Sequence, residues 1–257
     1  MGVLNVTPDS FSDAGLHDDP AAAVSHGERL IAEGAAILDI GGESTRPGSD
    51  EVPEAAELAR VRPIVMRFSS HYSVPVSIDT RHASVAEASV ASGASIINDV
   101  SGFRDPAMVR VAAGCDAGLV VMHMAGEPKT MQAAPRYQDV VAEVGGYLIA
   151  QAAVLEAAGV VRERIALDPG IGFGKTLEHN IALLRGLPQL AALGYPVLIG
   201  VSRKRFIGQL TGVDNPAARL AGSIAAACYA AEHGASILRV HDVAETVQAL
   251  GVTGALR

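Results

Sequence analysis

The chain has 257 residues, 49% of them apolar, which is enough for one large buried core and excludes a largely disordered state. Its 20 Lys and Arg against 28 Asp and Glu give a formal net charge of -8, the wrong sign for a general nucleic-acid binder. The two cysteines, Cys115 and Cys228, are far apart without metal-binding spacing, so they predict neither a disulfide framework nor a zinc site. An anionic ligand would therefore have to be bound by a local basic cluster.

The N-terminus and the apolar runs of the chain predict a cytoplasmic protein that does not contact a membrane. The first residues lack the basic stretch and the apolar stretch of a secretory signal. The most apolar late run, residues 224–231, is far shorter than the ~20 residues that a membrane-spanning helix needs.

Short runs rich in Val, Ile and Leu alternate along the chain with longer stretches rich in Ala, Glu and Arg. This alternation is typical of parallel strands joined by crossover helices, and mostly apolar runs are expected of strands covered on both faces. The eight runs are residues 3–6, 36–40, 74–78, 95–98, 119–122, 165–167, 197–201 and 237–240. Because a barrel of this kind needs ~250 residues, we predict an α/β fold, a single (β/α)8 TIM barrel. A doubly wound open sheet is the alternative.

The segments between these runs are expected to be helices. Three of them, residues 20–33, 84–92 and 217–233, are each followed by a glycine suited to a helix C-cap. Long connections follow the first, second and fifth strands, and such connections are candidates for active-site lids. No linker or low-complexity tract interrupts the chain, which predicts one domain over residues 1–257.

Polar residues follow nearly every predicted strand, at the end where barrel enzymes carry their catalytic groups. One such residue is more often a helix cap or a turn former, but eight positions in succession predict a binding site. In chain order they are Asn5, Glu43, Asp79, Asn98 with Asp99, His123, Asp168, Ser202 to Lys204, and Arg239 with His241.

The chemistry of these residues divides between two kinds of ligand. Asp79, Asn98 and Asp168 offer carboxylates and an amide, which suit a planar heterocycle with several N–H donors and a carbonyl. The seventh and eighth strands, after which barrels commonly bind phosphate, are followed by basic side chains. These are Arg203, Lys204, Arg239 and His241. We therefore expect one mouth to bind both a polar ring and an anion.

Two other functional motifs are incomplete in this sequence. Residues 170–176 resemble a phosphate-binding P-loop, but Pro169 stands where that motif requires its first glycine. A metal-dependent amidohydrolase barrel would need closely spaced histidines, and the sequence contains no His-x-His.

Blocks along nearly the whole chain closely resemble the signatures of the bacterial dihydropteroate synthase family, in that family's order. The first two are MGVLNVTPDSFSD at residues 1–13 and DIGGESTRPG at residues 39–48. The others are residues 77–80, 97–100, 122–124, 168–176, 202–204 and 239–242. The resemblance implies a folate-pathway transferase that joins p-aminobenzoate to 6-hydroxymethyl-7,8-dihydropterin pyrophosphate and releases pyrophosphate. It also implies Mg²⁺, a homodimer and a target of sulfonamides.

The resemblance further implies residues for each subsite. Those for the pterin are Asp79, Asn98, Met122, Asp168, Phe173 and Lys204. Those for pyrophosphate are Asn5, Thr45, Arg46, Arg239 and His241, with Mg²⁺ near Asn5 and Asp13 as a further candidate. Those for p-aminobenzoate are Phe11, Pro47, Ser202 and Lys204. The catalytic residues among them would be Asp13, Asp79, Asp168 and Lys204.

The implied chemistry favours bond breaking before nucleophilic attack. The arylamine is a weak, neutral nucleophile, whereas the departing pyrophosphate is stabilised by positive charge. Arg205 departs from the family pattern, because many relatives carry a serine there.

Two alternatives remain for the function. One is a methyltetrahydrofolate-dependent methyltransferase, which binds no pyrophosphate, and the other is a catalytically silent pterin-binding paralogue. Residues 44–47, residues 202–204 and the pair of Arg239 and His241 would have no purpose in the methyltransferase. The presence of Asp13, Thr45 and Arg46 favours the synthase over the silent paralogue.

Overall fold

The computed structural model describes residues 1–7, 20–43, 51–126, 131 and 135–256. Eight strands lie in the described part of the chain, and each overlaps one of the predicted runs. They are β1 (Gly2–Asn5), β2 (Leu38–Gly41), β3 (Val76–Asp79), β4 (Ile96–Asp99), β5 (Gly118–Met122), β6 (Ile165–Asp168), β7 (Leu198–Ile199) and β8 (Ile237–Leu238).

The strands close into a ring. Strands β1 to β6 pair in chain order and β7 pairs with β8, all in parallel. Parallel bridges from Leu167 to Val197 and from Gly2 to Val240 join the two sheets on both sides. The Leu167 N–H donates to the Pro196 carbonyl at 2.8 Å, and the Val3 N–H donates to the Val240 carbonyl at 3.0 Å. The predicted barrel is therefore confirmed, and the open sheet is excluded.

Helices cover the outside of this barrel. They are α1 (Pro20–Ala32), α2 (Glu54–His71), α3 (Ala83–Ala91), α4 (Pro106–Ala113), α5 (Val140–Ala157), α6 (Leu177–Arg185), α7 (Leu187–Ala191), α8 (Arg205–Thr211), α9 (Leu220–Glu232) and α10 (Val243–Ala255). The predicted C-caps Gly34, Gly93 and Gly234 have φ values of 99°, 107° and 107°, which favour glycine.

The core has an outer and an inner part, because successive residues of a strand point to opposite faces. Outward residues such as Leu4, Leu38, Ile78 and Ile97 are buried beneath the helices. The inner part, towards the amino ends of the strands, is a small apolar cluster. It consists of Val120, Ala166 and Leu198, with Met1, Ile96 and Ile237 packed against them.

Helix α5 is long and apolar enough to cross a membrane by composition alone, with a mean hydropathy of 1.4, and the sequence analysis did not anticipate it. Its buried residues lie three or four positions apart on one face, as in an amphipathic helix that packs on a core. They include Val140, Val144, Leu148, Ala152 and Leu155, all part of the outer core. The packing is that of a barrel helix.

Candidate active site

The carboxyl ends of the strands bring most of the predicted ring-binding residues together. Strand register places Asn5 opposite Gly41, Gly41 opposite Asp79, and Asp79 opposite Asn98. On the other side of the barrel, Met122 is opposite Asp168. These positions share the parity of the inner apolar cluster, so their side chains line one mouth directly above it.

Arg239 lies at the centre of this mouth. Its Nε donates to Asp39 Oδ2 and its Nη2 donates to Asp79 Oδ2, each at 2.6 Å. Asp39 is fully buried and also accepts a hydrogen bond from Asn98 Nδ2 at 3.2 Å. One guanidinium therefore joins two carboxylates, and a residue predicted for pyrophosphate contacts one predicted for the pterin.

Burial and neighbouring charges both shift the pKa values of Arg239 and Asp79. Although burial disfavours its charge, Asp39 and Asp79 raise the pKa of Arg239 above its usual range. Burial raises the pKa of Asp79 to about 7, and the Arg239 guanidinium opposes that rise. A ligand that donates N–H groups to Asp79 would favour its ionised form.

Asp168 and Lys204 occupy the opposite side of the mouth. Lys204 Nζ donates to the Ile171 carbonyl and lies 4.8 Å from the centroid of the Phe173 ring, within cation–π range. Burial lowers the pKa of Lys204 to about 8 and raises the pKa of Asp168, while the attraction between the two opposes both shifts. Asp168 Oδ1 accepts a hydrogen bond from the Gly170 N–H at 2.7 Å.

An apolar wall completes this side of the mouth. Phe173 packs against a cluster of Val100, Met122, Met124 and Met131. Met122 and Phe173 were predicted from the sequence, whereas the other three residues were not, although Met124 stands in the same short block as Met122. Thioether and aromatic side chains suit the face of a planar ring.

The glycines of residues 170–174 have a conformational reason rather than a phosphate-binding one. Gly170, Gly172 and Gly174 have φ values of 66°, 87° and 64°. A Cβ atom at Gly170 would lie 2.0 Å from the His123 carbonyl oxygen, which no side chain could tolerate. The resemblance to a P-loop therefore arises from a tight turn packed against the end of β5.

Two further glycines keep the mouth open. A Cβ atom at Gly41 would lie 3.7 Å from Asn5 Oδ1, and one at Gly200 would lie 3.8 Å from both Lys204 Nζ and Arg239 Cβ. Both glycines face inward at the level of the charged residues, so the space next to those residues is left to a ligand.

The turns after β7 and β8 meet at Ser202 and His241. The His241 N–H donates to Ser202 Oγ at 3.2 Å, and His241 Nδ1 lies 3.0 Å from the same hydroxyl. Arg203, expected among the basic residues of the anion site, instead forms an ion pair with Asp242. The other predicted site residues, Phe11, Asp13, Thr45, Arg46 and Pro47, lie outside the described residues.

Lys175 is a functional candidate that was not selected from the sequence, and it contacts His123, one of the predicted strand-end residues. Lys175 Nζ lies 3.0 Å from His123 Nδ1 and donates to the Phe173 carbonyl at 2.9 Å. Burial lowers the pKa of Lys175 to about 7 and that of His123 to about 3, and Lys175 adds to the shift of His123. Lys175 thereby ties the turn that carries Phe173 to the end of β5. Its only sequence signal is its place in the block after Asp168.

Asp99, by contrast, is a turn former. Its Oδ1 accepts a hydrogen bond from the Ser101 N–H, and its Oδ2 accepts one from the Phe103 N–H, each at 2.7 Å. It follows Asn98 on the strand and so points away from the mouth.

A group of three potential metal ligands lies beside the end of β2. The ligand atoms of Glu43, Glu57 and His82 are within 4.8 Å of one another. Arg81 already donates to both oxygens of Glu43 at 3.1 Å, and His82 Nδ1 is 2.6 Å from Glu57 Oε2. A group that includes an imidazole and an arginine-bound carboxylate suits Mg²⁺ poorly, since Mg²⁺ prefers oxygen ligands and water.

Comparison with known proteins agrees with this geometry. The profile of the family described as "Pterin binding enzyme" matches residues 1–241. The chain is 53% identical over 260 residues to a dihydropteroate synthase of Neisseria meningitidis serogroup C, covering 100% of this chain and 92% of that protein. It is also 51% identical to the solved Xanthomonas albilineans dihydropteroate synthase with 4-aminobenzoic acid, at a TM-score of 0.94, covering 100% of this chain and 92% of that one.

A second Xanthomonas albilineans dihydropteroate synthase structure, in complex with 7,8-dihydropteroate, is 48% identical with a TM-score of 0.91, covering 100% of this chain and 92% of that one. Both the identity and the coverage are those of full-length relatives rather than of a shared barrel alone. The chain therefore belongs to the pterin-binding enzyme family and, within it, to the dihydropteroate synthases.

Proposed function

We propose that this chain condenses p-aminobenzoate with 6-hydroxymethyl-7,8-dihydropterin pyrophosphate to give 7,8-dihydropteroate and pyrophosphate in folate biosynthesis. The observation that carries the proposal is the mouth itself, where Asp79 and Asn98 lie on one side and Asp168 and Lys204 lie on the other beside an apolar wall. Its occurrence in a chain 53% identical to a dihydropteroate synthase supports the synthase over the methyltransferase.

The two acidic residues and the amide would recognise the pterin by its edge. Asp79 and Asp168 would accept hydrogen bonds from ring N–H and amino groups, and Asn98 can donate and accept at the same time. Lys204 would exchange its contact with the Ile171 carbonyl for the ring's carbonyl oxygen. Met122 and Phe173, which pack in one apolar cluster, would contact the face of the ring.

The pyrophosphate would lie on the side of Asn5, Arg239 and His241, together with Thr45 and Arg46. The charge of Arg239 is already shared between Asp39 and Asp79, so it offers the leaving group only part of the required neutralisation. Mg²⁺, when bound, would supply positive charge to the pyrophosphate oxygens. Asn5 fits this ion because its amide oxygen lies at the edge of the mouth, and Mg²⁺ commonly takes few protein ligands beside phosphate and water.

The chemical step would begin with cleavage of the bond between the pterin methylene carbon and the pyrophosphate oxygen. The electron pair leaves with pyrophosphate, and the dihydropterin ring delocalises the positive charge. Asp79 and Asp168 lower the energy of that cation electrostatically. The neutral amine of p-aminobenzoate, whose predicted binding residues are Ser202, Lys204, Phe11 and Pro47, would then form the C–N bond and lose its proton to solvent.

A coupled assay tests the proposal. Purified protein with both substrates and Mg²⁺ is expected to release pyrophosphate and form 7,8-dihydropteroate, identified by mass, in equal amounts. Omission of p-aminobenzoate should abolish product formation. Pterin binding without turnover would instead identify a silent paralogue, and methyl transfer from methyltetrahydrofolate would identify a methyltransferase.

We also propose that the protein is a single-domain, cytoplasmic homodimer. Small residues on a helix can allow a partner helix to pack closely, but Gly222 and Ser223 of α9 pack within the chain. A Cβ at Gly222 would lie 2.4 Å from Ile207 Cγ2, and Ser223 accepts a hydrogen bond from Arg203. A dimer contact would therefore use other residues, and analytical ultracentrifugation would measure the mass directly.

A further inference from the structure

Arg203, between the site residues Ser202 and Lys204, has a strained backbone. The Lys204 N–H donates to the Val201 carbonyl at 3.3 Å, which closes a four-residue turn with Arg203 at its third position. The φ of Arg203 is 60°, the left-handed region that a type II turn requires there and that favours glycine. Such a conformation in a non-glycine residue persists only where the surrounding structure holds it.

Three contacts hold Arg203 in this conformation. Its N–H donates to Ser223 Oγ at 2.8 Å, and its carbonyl accepts a hydrogen bond from Arg219 Nη1 at 3.0 Å. Its guanidinium pairs with Asp242, with Nε 3.0 Å from Oδ2. Two of the contacts come from the start of α9, and the third comes from the turn after β8. Two separate elements therefore hold Arg203 in place.

The supporting residues are themselves well anchored. Arg219 is nearly buried and also donates to the carbonyls of Val213 and Asp214, at 2.9 and 2.6 Å. Ser223 Oγ donates to the Arg219 carbonyl at 2.7 Å while it accepts from Arg203. Arg219 therefore acts as a rigid support for the turn rather than as an exposed cation.

The strained turn determines where its two neighbours point. On one side of Arg203, Ser202 Oγ contacts His241 Nδ1 at 3.0 Å. On the other side, Lys204 Nζ contacts the Ile171 carbonyl and lies 4.8 Å from the centroid of the Phe173 ring. A relaxed backbone at position 203 would redirect Lys204 relative to Ser202, and glycine, the ordinary residue for this position, would lack the link to Asp242.

We infer that Arg203 is a positioning residue for the reaction, an inference that rests on the proposed function. Its left-handed backbone orients Lys204 and Ser202, and its ion pair with Asp242 connects their turn to the turn that carries His241. These contacts fix the distance between the ring-binding side and the pyrophosphate-binding side of the mouth.

Three variants separate the two parts of this role. Arg203→Ala removes the ion pair and keeps the strained φ, whereas Arg203→Gly removes the ion pair and relieves the strain. Asp242→Asn weakens the ion pair alone. Arg110→Ala, on the exposed side of α4, is the matched surface control. Steady-state kinetics for both substrates would be measured well below the melting temperature of each variant.

We expect Arg203→Ala to lower kcat/KM by ~10- to 100-fold, the size of effect that a misplaced catalytic group produces. Arg203→Gly and Asp242→Asn should lose less and resemble each other, and the Arg110 control should match the wild type. A purely structural role would lower melting temperatures without changing the kinetics of the folded enzyme.

Wild-type kinetics in all three variants would overturn the inference. If Arg203→Ala does not fold, wild-type kcat/KM values in both Arg203→Gly and Asp242→Asn would still overturn it, and lowered values in both would support it. Failure of the proposed function is distinguishable, because the wild-type protein itself would then form no product.

Discussion

The interior of the barrel is apolar towards the amino ends of the strands and charged towards their carboxyl ends. The change takes place within two residues of the same strand, Ala166 to Asp168 on β6 and Ile237 to Arg239 at β8. Two residues of strand span only ~7 Å. Stability and ligand recognition are therefore assigned to adjacent layers, and substitutions in the two layers should have different consequences.

Within the charged layer, the ion pairs of Arg239 also stabilise the fold. Their loss should give the largest change in the free energy of unfolding. We expect Arg239→Met to lower the free energy of unfolding by ~3–5 kcal/mol, because Asp39 and Asp79 would stay buried without a cation. Urea unfolding followed by circular dichroism would measure the loss. Addition of Asp39→Asn to this variant should restore part of it, and an equally unstable double variant would contradict the explanation.

The apolar layer should affect stability alone. Leu198 is fully buried, so Leu198→Ala should cost ~2–5 kcal/mol of unfolding free energy through lost contacts and a cavity. Activity per folded molecule should be unchanged, since the side chain lies below the mouth. Val247→Ala, at a position 46% exposed on α10, is the matched control and should be close to neutral. A large fall in kcat for folded Leu198→Ala would show that the layers are not separable.

Asp168→Asn should show the opposite behaviour. A lost charge-assisted hydrogen bond is worth ~1.5–3 kcal/mol, so pterin affinity measured by calorimetry should fall by ~10- to 100-fold. The unfolding free energy should change less than the binding free energy. The control Asp116→Asn changes an exposed carboxylate far from the mouth, and equal affinities in the two variants would remove Asp168 from the ring-binding set.

The smallest effect, taken per pH unit, is a pH dependence of stability from Lys175. Burial lowers its pKa in the folded protein to about 7 from the usual 10.5, so between these values the unfolded chain binds the extra proton. Stability should therefore rise with pH across this window, by up to ~1.4 kcal/mol per pH unit relative to a variant without the group. Lys175→Met is that variant. Parallel stability curves for the two proteins from pH 7 to 10 would show that folding does not lower the pKa of Lys175.

Much of the fold could be predicted because local sequence patterns indicate the strands and the ends of the helices. The apolar runs located all eight strands, and glycine positions located helix ends. Strands β7 and β8 are shorter than predicted, each only two residues long. Beyond them, the next strand positions belong to Gly200 and Arg239, which serve the mouth.

The contacts of the site were less predictable, because they join residues distant in sequence. Arg239 lies 200 residues from Asp39 and 160 from Asp79, and no local pattern indicates which carboxylate it meets. Asp39 lies within a mostly apolar strand, and no local pattern there indicates that its carboxylate pairs with a distant arginine. Arg203 shows the opposite case. It lies in a basic block that predicted anion binding, but its backbone forms a left-handed turn and its guanidinium pairs with a neighbouring carboxylate.

Gly200 has a consequence for inhibitor resistance. A methyl group there would make only ordinary contacts with Lys204 and Arg239, so the folded protein has room for it. The same methyl would occupy space beside both charged groups that a ligand can otherwise fill. An inhibitor extended over Gly200 could therefore be rejected by one small substitution, whereas an inhibitor confined to the groups that recognise the ring would force the enzyme to give up its own substrate.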